Sequence, residues 1–218
     1  MEKQYILFDL DGTLTDPMVG ITKSVQHALK SFGIVVEDLK ELTPFIGPPL
    51  KESFQERYQM TEEEADQAVK IFREYFVPKG IFENEVYDGI ESMLKSLNEA
   101  GKSLMIATSK PIDFAEQILE HFGLRDYFDY VAGSTLSEGR TKKDEVIAYA
   151  LDECQLVDMS ELIMVGDRKY DVLGAKAFGI KSIGVLYGYG SLTELEEAGA
   201  DYIVETVEEL QELLLKEE

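Results

Sequence analysis

The segment Tyr5-Ile6-Leu7-Phe8-Asp9-Leu10-Asp11-Gly12-Thr13-Leu14-Thr15-Asp16 opens on four apolar residues and then turns acidic. Four apolar residues are too few for an independent helix and suit a strand buried on both faces. Two further runs of this kind stand at 104–107 and 162–165. Between and after them lie helical patterns at 92–100, ending at Gly101, at 114–122, ending at Gly123, and at 146–154. Strands that alternate with helices imply a parallel sheet. Residues 182–186 and 202–204 read as two more strands, giving a sheet of about five, and 207–216 as a closing acidic helix.

Residues 17–84 read differently, with helical periodicity and no convincing strand. Residues 19–32 read as one helix, and Thr61 with Glu64 three positions on forms a capping-box pattern at the start of another. Between them Thr43-Pro44-Phe45-Ile46-Gly47-Pro48-Pro49-Leu50 interrupts any helix. The expected organisation is therefore an α/β core made of residues 1–16 and 85–218, with 17–84 inserted as an α-helical cap domain.

The chain has 218 residues, 44% of them hydrophobic, enough for a substantial core. Lys and Arg number 21 against 43 Asp and Glu, a net charge of −22, which disfavours general nucleic-acid binding. The single cysteine, Cys154, fits a reducing compartment, and no run approaches the roughly 18 apolar residues that a bilayer span needs. The short apolar start also lacks the form of a signal peptide. These features predict a cytoplasmic protein with no membrane association, monomeric or homodimeric. Any active site here that takes an anion needs a metal ion or placed cations to reverse the local sign.

Asp9 and Asp11 follow the first strand two positions apart, so in extended chain both carboxylates project to one side, where a parallel sheet binds ligands. An Asp-Gly turn accounts for Asp11-Gly12 but gives no reason for Asp9. Met164-Val165-Gly166-Asp167 ends another strand, with Asp171 one helical turn later; a helix N-cap explains Asp167 equally well on its own. Thr108 and Ser109, after Ile106-Ala107, suit either phosphate donation or capping of the helix that begins near Ile112. Arg140-Thr141-Lys142-Lys143-Asp144 is a basic cluster that, taken alone, is a solvated loop. The histidines His27 and His121 read as ordinary helix residues and Cys154 as a small core residue. Phe72, Tyr75 and Phe76 read as packing within the cap, a base-stacking platform being the alternative if the substrate is a nucleotide. The acidic runs Glu62-Glu63-Glu64 and 208–212 read as solvated helix faces.

In this order, these motifs resemble the haloacid dehalogenase superfamily, in its phosphatase branch with a helical cap after the first motif. Phe8-Asp9-Leu10-Asp11-Gly12-Thr13-Leu14 is similar to the first motif, Thr108 to the second, Lys143 to the third, and Gly166-Asp167 with Asp171 to the fourth. Val86-Tyr87-Asp88-Gly89-Ile90 and Gly188-Tyr189-Gly190-Ser191 add softer likeness, and the nearest branches are phosphoglycolate phosphatase-like and 5′-nucleotidase-like proteins. The resemblance implies a Rossmann-like core and a Mg²⁺-dependent hydrolase of small soluble phosphate esters. Asp9 would be the nucleophile and Asp11 the general acid and base. Mg²⁺ would be held by Asp9, the Asp11 carbonyl and Asp167, supported by Asp171. Thr108, Ser109 and Lys143 would bind phosphate, with Lys142 as the alternative lysine. Gly47, Pro48 and Lys51 of the cap would face the site and choose the leaving group. A sugar-phosphate mutase and a non-catalytic phosphate-binding protein are the competing readings.

Overall fold

The computed structural model of the chain describes residues 4–137 and 139–216. It divides into two compact units, one formed by the residues up to Asp16 and from Val86 onward, the other by Pro17–Glu85. The second boundary lies one residue beyond the position read from the sequence.

The first unit is built on a parallel sheet of six strands, one more than expected, in the order β5-β4-β1-β6-β7-β8. These are β1 (Tyr5–Phe8), β4 (Ser103–Pro111), β5 (Tyr130–Ser134), β6 (Leu162–Gly166), β7 (Lys181–Val185) and β8 (Tyr202–Val204). The additional strand, β5, reads Tyr-Val-Ala-Gly-Ser and sits at the sheet edge. Its small residues carry no apolar run for a sequence pattern to register. Two short strands, β2 (Thr15–Asp16) and β3 (Glu85–Val86), pair where the chain passes from one unit to the other. The helices of this unit are α4 (Ile90–Glu99), α5 (Ile112–His121), α6 (Lys143–Glu153), α7 (Lys169–Ala177), α8 (Leu192–Ala198) and α9 (Val207–Leu215).

The first apolar run lies in the middle of the sheet, flanked by β4 and β6. Leu7 joins Met105, Ala107, Met164, Val146, Ile147 and Ala175 in the core cluster under α6 and α7. Phe8, on the other face, meets the ring of Phe128 edge-on at 6.3 Å. Strand order reverses direction at β1, so the first strand ends where parallel sheets open a crevice for ligands.

The second unit contains α1 (Met18–Ser31), a 3₁₀ stretch (Leu39–Phe45), α2 (Leu50–Tyr58) and α3 (Glu62–Phe76). Pro44 lies inside the 3₁₀ stretch. Thr61 and Glu64 form the expected reciprocal cap of α3: the Glu64 N–H donates to Thr61 Oγ1 at 3.3 Å and the Thr61 N–H to Glu64 Oε2 at 2.8 Å. Phe72 and Phe76 are buried and stacked at 5.2 Å, whereas Tyr75 keeps a polar end, donating to Glu83 at 3.1 Å. Gly20 permits a close approach of backbones, because a Cβ there would stand 1.9 Å from the Gly80 carbonyl oxygen. Among the described residues no helix is long and apolar enough to cross a membrane.

Candidate active site

The Asp9 N–H donates to the Val165 carbonyl at 2.9 Å, extending the β1–β6 ladder one residue past the strand and anchoring Asp9 at the sheet's carboxyl end. The Leu10 N–H donates to Asp9 Oδ1 at 2.7 Å. The chain then folds over itself: the Leu14 and Thr15 N–H groups donate to the Leu10 carbonyl, at 2.9 and 3.1 Å. Gly12 makes this turn with φ +84°, a conformation that favours glycine.

Lys143, the first residue of α6, reaches the same point. Its ammonium lies 3.0 Å from Asp9 Oδ1 and 2.8 Å from Asp171 Oδ1 and donates to the Ala107 carbonyl at 2.9 Å. These partners match the three donors of an ammonium. Burial works to strip its proton, but Asp171 and Asp9 together outweigh that and raise its pKa. Gly174 of α7 leaves room for the lysine stem, since a Cβ there would lie 2.8 Å from Lys143 Cγ. Lys142, the neighbouring alternative, is exposed.

Asp167 follows β6 and is fully buried. Its Oδ2 accepts from the Tyr189 N–H at 2.7 Å, and Thr13 Oγ1 stands 3.5 Å from its Oδ1. Glycines close around it: a Cβ at Gly12 would sit 2.3 Å from Asp167 Oδ2, one at Gly188 2.4 Å from Asp167 Cβ, and one at Gly190 1.8 Å from the Asp167 carbonyl oxygen. Asp171 caps α7, its Oδ2 accepting from the Arg168 N–H at 3.0 Å. With Oδ1 beside the Lys143 ammonium, both of its oxygens face a donor.

One ligand atom from each of Asp9, Asp167 and Asp171 lies within 4.8 Å of the others, and all three residues are buried. Burial, then the charges of Asp171 and Asp9, push the Asp167 carboxyl well above the usual range. Burial likewise lifts Asp171 to about 6 against the pull of Lys143. Buried like charges demand compensation. A compact set of buried carboxylate oxygens fits a hard divalent cation, for which two of these groups plus substrate oxygens and water are a usual ligand set.

Asp11 is directed elsewhere. Its Oδ2 pairs with the buried ammonium of Lys110 at 2.7 Å, and its Oδ1 is buried and accepts no hydrogen bond from the described residues. Burial raises the Asp11 pKa, and Lys110 opposes the shift. The register of β4 against β5 shifts between Ala107 and Pro111. Such irregularities re-aim side chains next to active sites. Thr108 is buried there, its Oγ1 accepting from the Lys110 N–H at 3.3 Å, and Ser109 is half-buried.

A family model described as haloacid dehalogenase-like hydrolase matches residues 6–185, most of the chain. The chain belongs to that family. The haloacid dehalogenase-like chain is 48% identical over 190 residues to a protein of Pseudomonas aeruginosa named 5′-nucleotidase, covering 87% of this chain and 86% of that one. It is 38% identical over 214 residues to a Mycobacterium tuberculosis protein named tyrosine-protein kinase PtkA, covering 97% and 72%. The crystal structure of a Clostridium acetobutylicum protein described as a predicted phosphatase superposes with a TM-score of 0.96, at 52% identity and 99% coverage of both chains.

Within this haloacid dehalogenase-like core, the structure brings Asp9, Asp167, Asp171 and Lys143 into one buried group, with Asp11 two residues along the chain. Gly47, Pro48 and Lys51 belong to the other unit, where Lys51 pairs with Asp66 at 2.7 Å and Glu62 at 3.1 Å. Sequence reasoning passed over Lys110 and the main-chain donor at Tyr189. The first directly follows Thr108-Ser109 in the chain, and the second lies within Gly188-Tyr189-Gly190-Ser191.

Proposed function

We propose that the chain is a Mg²⁺-dependent phosphomonoester hydrolase that works through an aspartyl-phosphate on Asp9. The observation that carries this reading is the buried group of Asp9, Asp167 and Lys143 at the carboxyl end of the sheet. Asp9 is held by Lys143 and the Leu10 N–H, so one of its oxygens meets phosphorus without having to be immobilised by substrate. As the Asp9 oxygen–phosphorus bond forms, the bond from phosphorus to the ester oxygen breaks, and Asp11 gives that oxygen its proton. In the second half, Asp11 takes a proton from water, the hydroxide attacks phosphorus, and the Asp9 carboxylate leaves with inorganic phosphate released. Lys143 stabilises charge on the transferred oxygens, and the hydroxyls of Thr108 and Ser109 supply further donors. Mg²⁺, held by Asp9, Asp167 and the Asp11 carbonyl with Asp171 in support, would supply charge neutralisation at the phosphoryl oxygens.

The favoured substrate class is a nucleoside 5′-monophosphate, supported by the name of the Pseudomonas relative, with phosphoglycolate as the smaller competitor. The test is phosphate release, with and without Mg²⁺, from nucleoside monophosphates, phosphoglycolate, sugar phosphates and pyrophosphate, with Asp9→Asn as control. Metal-dependent release abolished in Asp9→Asn is the expected result. Interconversion of sugar phosphates without release, or transfer from ATP to a protein tyrosine, would replace hydrolysis with a mutase or kinase reading.

A further inference from the structure

We infer that Lys110 is a positioning residue for the leaving-group step, fixing one oxygen of Asp11 so that the other is presented to the departing ester oxygen. This rests on the hydrolase reading above and adds to it a residue outside the motifs that carry the family resemblance.

The argument begins with the two oxygens of one carboxyl group. Asp11 Oδ2 is 2.7 Å from the Lys110 ammonium, and the side chains of both residues are almost wholly shielded from solvent. Asp11 Oδ1 is buried too and accepts no hydrogen bond from the described residues. A buried carboxylate oxygen left without a donor is costly, and a catalytic role is one of the reasons native structures retain such a group. The pair therefore divides the labour of a single side chain, with Oδ2 anchored and Oδ1 available.

The reach of Lys110 depends on the irregularity in β4. Ile106 is level with Phe8 in the parallel register, so the strand runs beside the first motif as both leave the sheet. The register then shifts between Ala107 and Pro111, and Thr108 Oγ1 accepts the Lys110 N–H at 3.3 Å. That local bond fixes the lysine backbone where the strand is irregular. The ammonium consequently pairs with Asp11, whereas Lys143 takes Asp9 and Asp171. Each of the two reacting carboxyl groups thus has its own buried lysine.

Orientation matters most where proton transfer is most needed. An alkyl phosphate leaves as a strongly basic alkoxide and depends on the acid, whereas p-nitrophenyl phosphate leaves as a stable phenolate and scarcely requires it. The test compares kcat/KM, which reports only the steps through departure of the leaving group and not the later attack of water, on a nucleoside 5′-monophosphate and on p-nitrophenyl phosphate for the full chain and for Lys110→Met, Lys110→Arg, Asp11→Asn and Lys110→Met/Asp11→Asn. The expected result for Lys110→Met is a fall on the order of 10²-fold on the nucleotide and only a few-fold on the aryl ester, the same split being shown by Asp11→Asn. Lys110→Arg should recover part of the nucleotide rate, and Lys110→Met should add no further split once Asp11 is Asn. The double variant also removes both charges of the buried pair, so it stays informative where Lys110→Met alone is poorly folded. An equal fall on both esters, or an undiminished Lys110→Met effect in the Asp11→Asn background, would overturn the inference while leaving the hydrolase standing. No phosphate release from either ester by the unaltered chain would overturn the hydrolase reading and this inference with it.

Discussion

Replacing Lys143 with Met removes the buried cation that pairs with Asp9 and Asp171, and the consequence for stability can be worked from the geometry. The two charge pairs measure 3.0 and 2.8 Å. At an effective dielectric of ~20, each attraction is on the order of 6 kcal/mol, while desolvating each of three ions costs several kcal/mol, leaving the intact cluster near balance. Deleting the lysine keeps the desolvation and discards the attraction, a loss of about 3–5 kcal/mol for a buried pair. For a chain of this size that corresponds to a melting temperature lower by about 6–20 °C at neutral pH. The loss should shrink in acid. The Asp171 carboxyl sits near 6 in the intact chain, above its unfolded value. Such a group contributes stability that is fully present below about pH 4 and is lost as pH rises through about 6. Without the ammonium its pKa rises further, so at about pH 5 the variant folds with Asp171 neutral and the repulsion relieved. The assay is thermal unfolding in a chelator at about pH 5 and about pH 7.5, with Lys143→Met/Asp171→Asn as the companion. A shift under about 2 °C, an equal shift at both pH values, or no recovery in the companion would refute the reasoning.

Gly190→Ala places a Cβ 1.8 Å from the Asp167 carbonyl oxygen, and displacing that loop by even about 1 Å should cost on the order of 10²-fold in metal-dependent turnover. A Mg²⁺ titration of activity checks this, the expected signature being a raised metal requirement with an unchanged circular dichroism spectrum. The net charge of −22 repels an anionic substrate, so adding salt should lower KM for a dianionic ester with kcat nearly constant; a KM that rises with salt would contradict it. Lys51→Ala severs exposed ion pairs with Glu62 and Asp66 and should leave the unfolding temperature in place. Relative rates across a substrate panel then decide whether Lys51 has any part in specificity.

The central strand was legible because four apolar residues running straight into Asp9 have no other economical reading, and β1 spans Tyr5–Phe8. Strand β5 was not, because an edge strand with Ala132, Gly133 and Ser134 is held by its neighbour's backbone instead of by an apolar pattern. At the site, the Asp9–Asp11 spacing and the strand-end position of Asp167 are local features, visible in a string of letters. The Lys110–Asp11 pair depends on a register shift, and strand alternation cannot foretell where one occurs. The roles of Gly188 and Gly190 are equally hidden, since the group that forbids a side chain there, Asp167, is more than twenty positions away in the chain.

The crowding of Asp9, Asp167 and Asp171 in one buried spot also bears on how the protein responds to selection. Natural chains hold reactive groups at the expense of folding stability, and relieving that tension is among the easiest routes to a higher melting temperature. For Asp167 and Asp171, whose carboxyls burial drives upward, exchange for the uncharged amide removes a penalty that metal would otherwise offset. A library screened for heat resistance in a chelator would therefore enrich variants at these two positions, and enrich them for inactivity. The same library screened with metal present would spare them. Robustness and reactivity draw on the same few cubic ångströms of this molecule, and the ion in the buffer decides which of the two a screen rewards.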